Sequence, residues 1–418
     1  MTRYLHYILS ISLVLLISFS SCKKTKTDTD SAKPLFTVNF TDNFIGEQLT
    51  AFVLISDSHG KFLGDTICNY NGEYPVFPET NTPITSKITI TIGNYEIFMH
   101  LLVIHLNTYT NVSPYGEWNV KGNQPDTVGH AIISLTHLPV LNGPILFSNS
   151  GYSNMTFDTS NQVQPLFLSP DELYIKLKTP AGEKFKQTSG ITLSKTYSVD
   201  MSDAVTPSYQ TISLPMSSQD YEITLSGYHG TNYASPLLVV TDHILSDGTA
   251  INAANIAYPP STFTGFLTDM MIRESYTSDL QWFYHVAGDI PSQFKKIDAA
   301  VNSVNALNGS ASLNLTGTFK MTEVNWQFVD FAHTLFDWHI FGPDTTKTLT
   351  LPVLSEGLAK LFPTLAADSL TCMSVEISNY PNLSNYQEIL KMKFDPTRSK
   401  LPGDFEVNSV KKILSGKK

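Results

Sequence analysis

Between Lys87 and Ile92 the sequence reads Lys-Ile-Thr-Ile-Thr-Ile, an unbroken alternation of polar and apolar residues. Successive side chains of a strand point to opposite faces, so this spacing puts the isoleucines on one face and the lysine and threonines on the other. A helix would scatter the same residues around its circumference. Similar short segments recur at Leu35 to Phe40, Leu173 to Lys178 and Ser312 to Phe319, rich in the residue types that suit a pleated, half-buried surface. Asn71-Gly72, Asn142-Gly143, Asp247-Gly248 and Asn308-Gly309 are dipeptides that accept the positive φ of tight hairpins. There is no strand–helix–strand rhythm, so a parallel sheet is not expected. The expectation is a mainly β chain of multidomain antiparallel β-sandwiches.

At 418 residues the chain exceeds the size of one hydrophobic core. Hydrophobic residues make up 42% and charged residues 15%, which supports packed structure rather than disorder. A Gly-Asn-Gln-Pro-Asp stretch around Pro125 and the Pro259-Pro260 pair, which has no donors for a sheet ladder, mark expected boundaries. They divide the chain into β domains over 35–125, 126–258 and 259–418. One or two short helices are expected in the C-terminal part. Phe294, Ile297, Val301 and Val304 have helical spacing within Ser292 to Asn305. Ser355 is a natural N-cap before Leu358, Leu361 and Phe362, with Pro363 closing the segment.

The beginning of the chain carries an address. Arg3 precedes Ile8 to Phe19, an apolar run broken by Ser10 and Ser12 and shorter than the ~20 residues a spanning helix needs. Small Ser20 and Ser21 follow. This reads as a signal peptide over 1–21. Phe19-Ser20-Ser21-Cys22 resembles a bacterial lipobox, with Phe19 in place of the usual leucine, and the resemblance implies that Cys22 is lipidated and anchors the protein to a membrane. Lys23 after the cysteine favours the outer membrane by the known sorting rule. Lys23 to Lys33 holds no apolar side chain larger than alanine, so 22–34 is read as a solvated tether.

Phe52 to Tyr74 combines a strand, Asp57-Ser58-His59-Gly60-Lys61, a short strand through Phe62 and Leu63, Gly64-Asp65-Thr66 and Asn71-Gly72-Glu73-Tyr74. This segment resembles the carboxypeptidase-regulatory-like, transthyretin-like sandwich repeats of Bacteroidetes cell-envelope proteins. The resemblance covers a small part of the chain and implies a non-catalytic module. Phe336-Asp337-Trp338-His339-Ile340, Leu351-Pro352 and Leu361-Phe362-Pro363 also resemble the ends of uncharacterised lipoproteins from the same bacteria.

The formal net charge is −10, and Arg273 and Arg398 are the only arginines after the signal. That field repels phosphate backbones and leaves few guanidinium forks, so nucleic acid is not an expected partner. No nucleophile elbow, zinc-protease motif, P-loop or dinucleotide fingerprint is present, and no catalytic residue or cofactor is assigned. Asp57, His59 and Asp65 have the composition of a triad but belong to a turn, where short polar side chains bond the local backbone. His333, Asp337 and His339, with Asp330 nearby, form a metal-like cluster. Asp337 and His339 would share a strand face, but converging ligands are missing and no metal is assigned. His100 and His105 fall on opposite faces of one strand. Cys68 and Cys372 could pair in an oxidising periplasm, but with 304 positions between them and no neighbouring cysteine, two independent buried thiols are the favoured reading.

Trp282, Trp326 and Trp338 gather in one stretch with Phe283, Tyr284, Phe328 and Phe331. They are either core packing or an exposed platform for a sugar or partner protein, and they are the candidate ligand-binding residues. The leading functional expectation is a non-catalytic, lipid-anchored envelope protein that binds or adheres to a glycan or protein. A fimbrillin-like pilus subunit and a hydrolase with a dispersed site are the alternatives. Fimbrillins matured by proteolysis need an arginine near the mature N-terminus, and here the first is Arg273.

Overall fold

The computed structural model describes residues 33–414, except 47–49, 81–83, 99–100, 123–128, 150–151, 157–161, 164–165, 168–171, 193, 219, 231–235, 246–249, 260–261, 276, 331–333, 363–368, 396 and 399. The signal, Cys22, His100, Pro125, Asp247-Gly248, Pro260 and His333 lie outside the described residues. Among the described residues the chain is mainly β and built of sandwiches, with two short α-helices in its C-terminal part.

Twelve strands form one central sheet. In chain order they are β1 (Thr50–Asp57), β2 (Phe62–Cys68), β3 (Ile88–Phe98), β4 (Leu101–Val112), β5 (Asp220–Tyr228) and β6 (Leu237–Leu245). There follow β7 (Gly265–Arg273), β8 (Leu280–Gly288), β9 (Met321–Asp330), β10 (Thr334–Pro343), β11 (Thr371–Asn379) and β12 (Val407–Ile413). Their spatial order is β6-β5-β7-β8-β12-β11-β9-β10-β4-β3-β1-β2. All neighbours are antiparallel except β10 and β4, which run parallel with Asp337 opposite His105 and Phe341 opposite Tyr109. The sheet draws strands from all three expected domain intervals. The boundaries near Pro125 and Pro259 therefore do not interrupt its hydrogen-bonded order.

One face of the sheet carries a large core that includes Phe52, Leu106, Tyr221, Ile272, Trp282, Val324, Trp326, Phe336, Trp338 and Val375. Strands Ser208–Ser218 and Ile251–Tyr258, the sheet of Ala299–Leu307, Ser310–Gly317 and Thr348–Thr350, and helix α1 (Glu356–Leu361) contribute residues to it. Close approach in this layer requires Gly93, where an added Cβ would lie 2.3 Å from the buried Phe52 ring. At the β1–β4 end, the other face packs against strands Phe36–Thr41, Gly72–Val76 and Glu117–Lys121 and helix α2 (Tyr386–Phe394). The middle of the chain adds a smaller sandwich whose core includes Ile133, Phe147, Ile175, Leu177 and Val199.

The expected helix over Ser292 to Asn305 is not formed. Ala299–Leu307 is a strand, joined to Ser310–Gly317 through Asn308 (φ 50°) and Gly309 (φ 74°). A bulge between Val301 and Ser303 inserts one residue into the alternation. It separates inward residues by three positions, which imitates helical spacing. The helix after Ser355 is present, with the Ser355 hydroxyl accepting from Leu358 N at 3.2 Å. Helix α2 lay unrecognised in the sequence although Asn385 caps it through Glu388 N at 3.2 Å.

Candidate functional site

The alternation that buries Val324 and Trp326 and half-buries Phe328 turns Glu323, Asn325 and Gln327 to the opposite face of β9. On β10 it buries Phe336, Trp338 and Ile340 and turns Asp337 and His339 outward. Register brings these residues together across the strands. Asn325 faces His339, Gln327 faces Asp337, and Glu323 is opposite Glu376 of β11, which is opposite Lys411 of β12. From β4, His105 stands beside Asp337. A polar band thus runs over β12, β11, β9, β10 and β4, about 20 Å across at the usual strand spacing.

His339 is its centre. Its Nδ1 is 2.6 Å from Glu323 Oε1, and its Nε2 is 3.0 Å from Asp337 Oδ2. A ring facing a carboxylate at each nitrogen is stabilised with both protons on. Burial alone would lower its pKa, but hydrogen bonds to Asp337 and Glu323 outweigh it and raise the value to about 9. Asp337 is held well below the usual carboxylate range, because bonds from His105, His339 and Asn325 overcome the opposing effect of burial. The Asn325 amide donates to Asp337 Oδ1 at 2.6 Å and the Gln327 amide to the same oxygen at 3.1 Å. His105 is the outermost member, 47% exposed with Nδ1 3.8 Å from Asp337 Oδ2.

Toward α2 the row becomes an acidic pair with a lysine above aromatic rings. Burial, followed by repulsion from Glu323, raises the pKa of Glu376, whose Oε1 accepts from Ser409 Oγ at 2.6 Å. Lys393 Nζ lies 5.0 Å from the Phe341 ring centroid and 5.9 Å from that of Tyr109, and burial lowers its pKa. The band therefore offers fixed charges, amides and carboxylates on a rigid support. That chemistry suits hydrogen-bonded recognition of a polar ligand.

Asp337 and His339 share a face and touch, as the sequence implied. Their further partners, Glu323, Asn325, Gln327, Glu376 and His105, were missed. The readable signal was the Glu-x-Asn-x-Gln alternation on one strand facing Asp-x-His on the next. Among the described residues, no group of three or more His, Cys, Asp or Glu side chains is arranged to hold a metal. Asp57 sits in its turn and accepts from His59 N at 2.8 Å and Lys61 N at 2.9 Å, so it serves the local backbone. Asp65 bonds Ser355. Cys68 and Cys372 are free, buried in different cores, and burial pushes each thiol up to about 12.

The exposed aromatic platform of Trp282, Trp326 and Trp338 requires correction. They are 5%, 2% and 2% exposed and belong to the large core. Trp326 and Trp338 are cross-strand partners, and Trp338 Nε1 donates to Thr108 Oγ1 at 2.8 Å. Their apolar area is worth most away from water, so the strand phase turns them inward.

No family model matches the sequence, and no curated protein matches it. Among solved structures, this chain is compared with a crystal structure of a tetra-tandem repeat in the extending region of a large adhesion protein. The overlap covers 82% of this chain and 94% of that one, at 9% identity and a TM-score of 0.12. Likeness at that score carries no argument about either protein.

Proposed function

We propose that this chain is a non-catalytic cell-envelope protein, lipid-anchored through Cys22, that binds a glycan or a protein. The observation supporting the binding part is the polar band around His339, in which side chains from β9, β10 and β4 are held in one internally bonded array. A preorganised array loses little freedom when a ligand engages it. The lipobox-like Phe19-Ser20-Ser21-Cys22 supports the anchor, and Lys23 after it supports the outer membrane as destination. Among the described residues, no helix is long and apolar enough to cross a membrane.

Two measurements test this reading. Fractionation of cells producing Cys22→Ala should find the chain released from the membrane or stalled before processing. A mutant that stays membrane-bound at mature size would remove the lipid anchor from the proposal. The purified chain and Asp337→Asn should then be screened in parallel against glycans and envelope proteins. A ligand held by the parent and weakened at least tenfold by Asp337→Asn supports the band, whereas equal binding by both sinks it.

A further inference from the structure

On the outer face of β4, β10 and β9, two rows of side chains lie side by side. Register puts Val103 opposite Leu335 and Leu335 opposite Val329 in one row, and His105, Asp337 and Gln327 in the next. The first row is apolar, and its members belong to none of the three cores. Val103 is buried, Leu335 half-buried and Val329 41% exposed, so the row opens toward β9. Aliphatic surface thus meets water beside a fixed carboxylate.

The polar row has acceptor capacity left. Asp337 Oδ1 takes the Asn325 and Gln327 amides, but Oδ2 takes His339 Nε2 at 3.0 Å and meets His105 Nδ1 only at 3.8 Å. A carboxylate only accepts, so Gln327 turns its nitrogen to Asp337 and its oxygen away. Among the described residues, nothing donates to that oxygen. His339 carries its proton and faces a carboxylate at each nitrogen, so Asp337, Glu323 and His339 sum to one negative charge. Lys411 and Lys393, with Glu376 between β9 and Lys411, stand at the far end of the band. Lys411 lies on β12, beyond β9 and β11, and Lys393 lies over Phe341, further along β10.

We propose that the step between the two rows is the docking point for an arginine side chain of a protein partner. This assignment rests on the polar band being a binding surface, and it narrows the ligand from a glycan or protein to a protein. The methylene stem of the arginine lies on Leu335 and Val329, while its guanidinium reaches Asp337 Oδ2 and Gln327 Oε1. A planar fork of N–H donors matches paired acceptors, which a lysine ammonium does not. A sugar fits less well, because its C–H face stacks on aromatic rings and this row has none. The formal net charge of −10 adds a field that draws cations to the surface.

The test uses the full chain purified in detergent, at about pH 8, above the ordinary histidine range, and at about 0.15 M salt, where exposed charges beyond ~8 Å are screened. Fluorescein-labelled hexa-arginine, hexalysine and cellohexaose are titrated and followed by anisotropy. Hexa-arginine should bind more tightly than hexalysine, and cellohexaose should give no response. Asp337→Asn should weaken hexa-arginine about tenfold or more, through loss of a charged hydrogen bond. Val329→Thr, an exposed change that leaves every charge in place, should weaken it about two- to fourfold through lost apolar contact. Glu222→Gln removes an exposed carboxylate of β5 on the same face and should leave binding within about twofold, because that charge is remote and screened. Equal weakening by Glu222→Gln and Asp337→Asn overturns the arginine site, as does an unaffected Val329→Thr or hexalysine binding as tightly as hexa-arginine. Absence of hexa-arginine binding also overturns it, and a glycan held by the parent and lost in Asp337→Asn would then leave the polar band standing.

Discussion

At the scale of single residues, His339 is the most informative position, because its proton links the polar band to stability. The folded chain raises its pKa from 6.5 to about 9 by pairing it with Asp337 and Glu323. A group raised on folding stabilises the native state fully below its ordinary pKa, and this contribution disappears as pH climbs through the folded value. Urea midpoints should therefore fall between about pH 6.5 and pH 9 in the parent, and His339→Gln should flatten that part of the profile. An unchanged slope would mean that His339 is not charged in the native state. Asp337 acts in the other direction: its lowered pKa supports the fold above the ordinary value of 3.8 and loses that support as the solution becomes more acidic. The Asp337–His339 contact was readable from two-residue spacing on a strand. Glu323 was not, because spacing on β10 says nothing about which strand lies beside it.

At the scale of elements, short local signals worked where the determining chemistry was itself local. Ser355 accepting from Leu358 N and Asn308-Gly309 adopting left-handed φ need only their near neighbours. Replacing Gly309, at φ 74°, with valine should cost about 1–2 kcal/mol through the Cβ clash of that conformation. Chemical denaturation measures it, and a loss near zero would show that the hairpin does not depend on this turn. The false helix over Ser292 to Asn305 has the opposite lesson. Val301 and Val304 reach the same layer through a bulge that forms only against the paired strand. Periodicity taken from one strand alone therefore assigns the wrong element.

At the scale of the whole molecule, the parallel β4–β10 pair is the join between early and late parts of the chain. Around it Tyr109 stacks on Phe341 at 4.9 Å, Thr110 Oγ1 donates to Phe341 O at 3.1 Å, and the Gln387 side chain donates to Asn111 O at 2.8 Å. A chain ended at residue 258 would lack β7 to β12 and leave β4 and β5 as open edges with unpaired backbone groups. Such a fragment should aggregate or fail to unfold cooperatively in calorimetry, whereas a soluble fragment with a sharp transition would show that the join is dispensable. The sequence by itself determined that this chain is β-rich, where many strands run, which side of each is apolar, and where a capped helix and a tight turn occur. Only the tertiary structure decided that His105 meets Asp337, that Glu323 faces Glu376 and that the tryptophans enter the core. The physical reason is that alternation selects a face through burial, a property of each strand alone. Backbone hydrogen bonds are much the same for any pair of strands, so neighbours and register follow from the packing of the assembled sheet.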